Sequence, residues 1–314
     1  MADLRPEVLL IGPLLPQTMA ALDAAYRVRR YDLAGDRDAL VAELAPRLTA
    51  IATRGDYPLP GALMRRLPKV RLIASSGTGY DGIDIVAARE LGIAVTNSPG
   101  VVAECVADMA FGLILAVVRR IVVQDRHVRA SGWLAAPMPL TERVWGRRLG
   151  ILGLGRIGKA VARRAEGFRM TIGYHGRRPQ ADVPYAYFAT PVDLARASDI
   201  LVVATPGRDE TRGLVSRAVI EALGPAGVLV NVSRGTVVDE PALVDALVHK
   251  RLAGAGLDVF ADEPRVPEAL FALDHVVLQP HAGSGTLETR LAMAQTMLDN
   301  LAAYFAGRPL VSPV

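Results

Sequence analysis

Short apolar runs alternate with stretches of helical periodicity along the whole of this 314-residue chain. An apolar run of four or five residues without polar alternation reads as a strand buried on both faces. Helices between such strands are what cover those faces, so the pattern points to parallel α/β architecture. In the first third the runs fall at residues 8–11, 28–31, 50–53, 71–75 and 94–96, with helix-like stretches at 16–25 and 37–45 between them. This portion reads as one α/β unit.

A long apolar helix is expected from Glu104 to Arg129, followed by a Pro-containing loop from Trp133 to Leu140. Further apolar runs follow at 148–152, 171–174, 185–188, 200–204, 228–232, 256–259 and 276–278. Helix starts are well marked: Thr190-Pro191-Val192-Asp193 sets a cap, an N1 proline and a first-turn acid in order, and Asp239 is a second cap. A glycine-rich Gly153-Leu154-Gly155-Arg156-Ile157-Gly158 stands halfway along. A six-stranded unit beginning there leaves the stretch from about Thr286 as a helix with no sheet of its own, expected to return to the N-terminal unit. The reading is therefore a discontinuous domain of 1–98 plus 286–314, with a second domain of 99–285 inserted in it. Both are Rossmann-like or flavodoxin-like, joined by two crossings that form a hinge and leave a cleft.

Composition excludes several classes. Hydrophobic residues make up 51% and charged residues 22%, as in a globular protein with ample core, and 36 basic against 32 acidic residues leave only +4. No basic tract interleaved with aromatics suggests nucleic acid. The longest uncharged apolar stretch, 109–118, is far short of the roughly 20 residues that span a bilayer, so no membrane is expected. Cys105 is the single cysteine; no internal disulfide can form, and with no secretion signal the expected location is cytoplasmic.

The glycine motif follows an apolar run and opens a helix with Ile157, Val161, Ala165 and Phe168 on one face. In that context Gly153 permits the tight turn, Gly155 admits the pyrophosphate of a dinucleotide, and Gly158 allows close helix–strand packing. The phosphates would meet the amides at the helix N-terminus. Some 20 residues on, an acid normally takes the ribose hydroxyls of NAD. Here the chain reads Tyr174-His175-Gly176-Arg177-Arg178-Pro179, with Gly176 at the acid's place and two cations after it. That substitution favours a 2′-phosphate, hence NADPH over NADH, although an exposed turn would also explain the pair.

Of the five histidines, His127, His249 and His275 suit structural or surface positions. His281 ends an apolar strand, in Gln279-Pro280-His281-Ala282-Gly283. Arg234, in Asn231-Val232-Ser233-Arg234-Gly235, and Asp258, in Leu257-Asp258-Val259-Phe260, lie at or beyond the ends of two other strands. In parallel sheets ligands gather at that edge. With Glu263 nearby in sequence, a cation, an imidazole and a carboxylate are what reduction of a keto acid by hydride transfer requires.

These segments, taken in order, resemble the D-isomer specific 2-hydroxyacid dehydrogenase family over nearly the whole chain. The resemblance is greatest to its glyoxylate/hydroxypyruvate reductase and hydroxyphenylpyruvate reductase branch. It rests on Gly153 through Gly158, Asn231 through Gly235, Gly254 through Phe260, Glu263-Pro264 and Pro280-His281. It implies that Arg234 pairs with the substrate carboxylate and carbonyl, that His281 donates the proton, and that Glu263 stabilises the imidazolium. It further implies cofactor contacts from Val106, Thr205, Pro206, Val232, Ser233, Asp258 and Gly283, beside Leu154, Arg156, Ile157 and the motif glycines. Asp258 is expected on the nicotinamide carboxamide, with a helix cap as its other role. Thr78 and Gly79 are implied as amide donors to the substrate, and Arg54 either reads a substrate substituent or forms a surface ion pair. A homodimer is implied, with the 104–129 helix and the 133–140 loop at its interface and Met138 or Leu140 reaching the partner's pocket. Arylpyruvate reduction is the runner-up activity. Cofactor-sensing corepressors resemble the same fold and keep the triad, so a non-enzymatic binding platform is the contrasting reading.

Overall fold

Five strands of the first unit, β1 (Glu7–Ile11), β2 (Arg27–Arg30), β3 (Ala50–Thr53), β4 (Leu72–Ser75) and β5 (Ala94–Thr96), form a parallel sheet in the order β2-β1-β3-β4-β5. The computed structural model describes residues 4–314. It divides into two compact units, Met1–Val102 with Thr286–Val314 and Ala103–Gly285, the first crossing falling a few residues beyond the expected 98/99 boundary. Strand alternation sends Leu9, Ile11, Ile51, Ile73 and Val95 to one face, against Val41, Leu44, Met64 and Leu67. Val8, Leu10, Ala50, Ala52, Leu72 and Ala74 go to the other, against Leu22 and Tyr26 and against Met297 and Leu301 from the last helix, Leu287–Phe305. The C-terminal helix therefore shares with the helix Pro16–Ala25 the closing of one face of a sheet built from the first hundred residues.

The chain's end is tied down by Asn300, which is fully buried. Its side chain donates to the Thr296 carbonyl (2.8 Å) and to Ser312 Oγ (2.9 Å), and accepts from the amides of Val311 (3.0 Å) and Ser312 (3.2 Å). Ser312 Oγ in turn donates to the Asn97 carbonyl at 2.6 Å. Asn300→Leu keeps the bulk but strands two amides, so stability should fall by about 2–3 kcal/mol, read as a lower urea midpoint with little change in slope.

The second unit carries seven strands, one at each apolar run from residue 148 onward: β6 (Arg148–Leu152), β7 (Thr171–His175), β8 (Ala186–Tyr187), β9 (Ile200–Val203), β10 (Val228–Asn231), β11 (Gly254–Leu257) and β12 (Val276–Leu278). They are all parallel, in the order β12-β11-β10-β9-β6-β7-β8, with the run at 185–188 shortened to the two-residue edge strand β8.

The expected helix from Glu104 to Arg129 is in fact two, Ala103–Val118 and Ile121–Arg129, broken at Arg120 with φ 51°. The break falls where burial ends. The first helix buries Val106, Ala110, Leu113, Ile114 and Val117, and lies so close to β11 that a Cβ on Gly256 would sit 2.8 Å from that of Leu113. The second helix buries nothing, so no packing holds it in line. No helix among the described residues is long and apolar enough to cross a membrane.

Candidate active site

Strand order reverses between β6 and β9, and at such a switch point ligands of open parallel sheets gather beyond the carboxyl ends of the strands. Gly153 follows β6 with φ 100°, and a Cβ on it would lie 2.7 Å from the amide nitrogen of Thr205 in the loop after β9. A Cβ on Gly158 would stand 2.1 Å from the Gly153 carbonyl oxygen, so the helix Arg156–Gly167 starts hard against the turn. Around Gly155 the opposite holds: a Cβ there meets nothing within 4 Å, and this residue caps the helix without a side-chain bond. The result is a tight backbone cradle whose mouth faces open space with helix amides behind it, which fits a dinucleotide pyrophosphate. Leu154 is buried in the turn, leaving its backbone as the part available there, whereas Arg156 is exposed.

Beyond β7 the chain bends around a hollow of about 550 Å³ lined by Gly176, Arg177, Arg178, Pro179, Gln180, Ala181 and Asp182. Arg177 and Arg178 are exposed, and neither guanidinium has a hydrogen-bond or ion-pair partner among the described residues. His175 is occupied with structure, its Nδ1 bonded to the Phe188 carbonyl (2.9 Å) and its ring stacked on Tyr187.

The three polar residues singled out at the other strand ends are aimed by local devices. Asn231, buried at the end of β10, accepts from the Ser233 amide (3.0 Å) and donates to the Arg234 carbonyl (3.0 Å), folding the turn that presents Arg234. The next residue must be glycine, since a Cβ on Gly235 would overlap the Phe260 backbone at 1.9 Å. Arg234 is half-buried and its Nη1 donates to the Ser233 carbonyl at 2.7 Å.

Glu263 accepts from the Phe260 amide through Oε1 (3.0 Å) and meets His281 Nδ1 through Oε2 at 2.7 Å. Burial pushes its carboxyl up. The hydrogen bonds from His281 and the Phe260 amide, with the charges of His281 and Arg234, outweigh burial and hold it below the ordinary range. An ionised Glu263 accepts only, which assigns the Nδ1 proton to the imidazole and leaves Nε2 for another partner.

His281 itself stands in the left-handed region, φ 53°. Asp258, 2% exposed, braces that conformation: its carboxylate takes the amides of Ala282 (2.7 Å) and Gly283 (2.9 Å), and its carbonyl takes the His281 amide (2.8 Å). Burial raises the Asp258 carboxyl, the two amides and the His281 charge oppose this, Glu263 reinforces it, and the net shift is upward. This bracing of the catalytic-histidine candidate is a role the sequence reading did not include, beside the nicotinamide contact expected of Asp258. Val106 borders the same turn, its Cγ2 lying 3.5 Å from where a Cβ on Gly283 would be.

In the first unit the loops after β3 and β4 press together, a Cβ on Gly55 being excluded by the Gly79 carbonyl at 1.8 Å. Thr78 Oγ1 donates to the Ser98 carbonyl (2.6 Å) and its own carbonyl accepts from Asn97 Nδ2 (2.7 Å). The amides of Thr78 and Gly79 have no acceptor among the described residues, as an anion-binding loop requires. Arg54 takes the ion-pair role: its guanidinium is bidentate to Asp56 (3.1 and 2.5 Å) and lies over the Tyr57 ring. The roles of Asn231, named only as part of its motif, of Gly207, where a Cβ would stand 2.6 Å from Arg234 Cγ, and of Gln180 escaped the sequence reading. An asparagine closing an apolar run just before an arginine was the available signal for Asn231, but nothing local marks the other two.

Residues 111–283 match the family model for the D-isomer specific 2-hydroxyacid dehydrogenase NAD binding domain. Among curated proteins, the chain is 46% identical over 307 residues to a hydroxyphenylpyruvate reductase of Plectranthus scutellarioides, covering 98% of each. It is 44% identical to a glyoxylate/hydroxypyruvate reductase of Arabidopsis thaliana, again over 98% of both chains. Among solved structures, an NADPH-dependent glyoxylate/hydroxypyruvate reductase of Sinorhizobium meliloti, in complex with NADP and malonate, superposes with TM-score 0.93. That likeness is at 41% identity and covers 99% of this chain and 97% of the other.

Proposed function

Because the chain belongs to the D-isomer specific 2-hydroxyacid dehydrogenase family, we propose that it reduces glyoxylate, hydroxypyruvate or a related 2-keto acid to the D-2-hydroxy acid, preferring NADPH to NADH. The single observation that carries this reading is the 2.7 Å bond joining Glu263 to His281 in a setting that also feels the Arg234 charge. When bound, the nicotinamide supplies the hydride to the carbonyl carbon. Arg234 holds the carboxylate and polarises the carbonyl. His281 Nε2 donates a proton to the oxygen as it takes up negative charge, so the carbonyl becomes a hydroxyl, and Glu263 keeps the ring oriented through Nδ1. The free amides of Thr78 and Gly79 are suited to a carboxylate, whereas Arg54, already filled by Asp56, is left out of this assignment.

NADPH oxidation in step with keto acid consumption is the expected result across glyoxylate, hydroxypyruvate and arylpyruvates at fixed cofactor. Tight cofactor binding with no turnover on the whole panel would overturn the reading in favour of a binding platform. The relative from Plectranthus scutellarioides makes arylpyruvate the second substrate class. Arg177→Ala/Arg178→Ala should lower the NADPH-over-NADH ratio of kcat/KM by about 10- to 100-fold, through loss of charge-assisted bonds to a 2′-phosphate. A homodimer is part of the proposal. Ile121, Val122, Val128, Trp133, Leu134 and Leu140 are all exposed on the helix and loop expected to face a second copy, more apolar surface than water favours.

A further inference from the structure

We propose that Gln180 is a positioning residue that sets selectivity for a 2′-phosphorylated cofactor, by latching the loop of Arg177 and Arg178 onto the glycine turn. The inference rests on the NADPH reading above. Gln180 acts at both its ends: its amide donates to Tyr174 Oη at 2.7 Å, and its side-chain Nε2 donates to the Leu154 carbonyl at 2.9 Å. Tyr174 is fully buried on β7, and Leu154 is the second residue of the glycine turn. At the loop's other end Tyr187 Oη donates to the Gly176 carbonyl at 3.3 Å. Asp182 reaches Lys159 on the helix that follows the turn, at 2.6 Å; an exposed pair of this kind contributes little.

The two unpartnered guanidiniums thus stand between fixed points, and the Gln180 side chain is the half-buried link from their loop to the turn. A 2′-phosphate can be read only if the cations stay at a set distance from the cradle that holds the pyrophosphate. NAD, lacking that phosphate, makes no use of the spacing. Removing the side chain leaves the Gln180 amide bond to Tyr174 in place, so the loop's end stays anchored while its link to the turn is lost.

Calorimetric titration of the unliganded protein tests this without turnover. In Gln180→Ala, affinity for NADP⁺ and for the fragment 2′,5′-ADP should fall about 5- to 20-fold, while NAD⁺ and 5′-AMP stay within about twofold. Gln180→Glu, of equal size but without the donor, should match the alanine variant. Equal weakening toward NADP⁺ and NAD⁺, or no weakening of either, overturns the proposal. A wild-type protein without preference for NADP⁺ would instead remove the cofactor reading on which it stands, so the two failures are distinguishable.

Discussion

Replacing His281 by asparagine lowers kcat for keto acid reduction by about 10²- to 10⁴-fold, the usual contribution of a positioned proton donor. The choice of asparagine matters because residue 281 has φ 53°, a region that asparagine tolerates better than most side chains. The variant therefore keeps the backbone that Asp258 braces and loses the titrating ring. Affinity for NADP⁺, read by calorimetry, should change by no more than about threefold, under 1 kcal/mol. A loss in kcat smaller than about tenfold would mean that the proton comes from solvent or another group.

Arg234→Ala is the second large effect. The guanidinium is half-buried, lies on a turn built by Asn231, and is one of the charges that hold the Glu263 carboxyl down. Truncating one member of a desolvated charge pair costs about 2–5 kcal/mol, so kcat/KM should fall by about 10²- to 10³-fold. Arg234→Lys should recover only a fraction, because a point charge cannot hold a carboxylate and polarise a carbonyl with one planar fork. Steady-state kinetics on both variants, with near-UV circular dichroism to show an unchanged fold, would settle it. Full recovery by lysine would reduce the role of Arg234 to general electrostatics.

The parallel sheets were legible because both depend on apolar runs of the right length, and the glycine turn because each of its glycines answers a steric demand within a few residues. Arg234, Asp258 and His281 stood out as candidates for a related reason, since a polar residue at or just beyond the end of a buried strand emerges at the sheet edge. The break at Arg120 was not, because periodicity continues through it and only the absence of anything to pack against ends the helix. Arg54 could not be decided for a similar reason: its partner, Asp56, sits two residues away in a loop whose shape the sequence does not encode locally. Gln180 and Asp258 act through bonds to backbone at 26 and 24 residues' distance. Their roles exist only once β7, β11 and the turn beyond β12 have been placed.

On the ribosome the first unit has to wait. Leu72 and Ala74 emerge early, but Met297 and Leu301, which cover them, come more than two hundred residues later. The bond from Ser312 to Asn97 joins residues 215 apart. All of Ala103–Gly285 is made in that interval, so the segment translated second has every contact of its own core before the segment translated first does. This reverses the usual N-terminal-first order, and leaves the half-covered early sheet as the part of the nascent chain most in need of a chaperone.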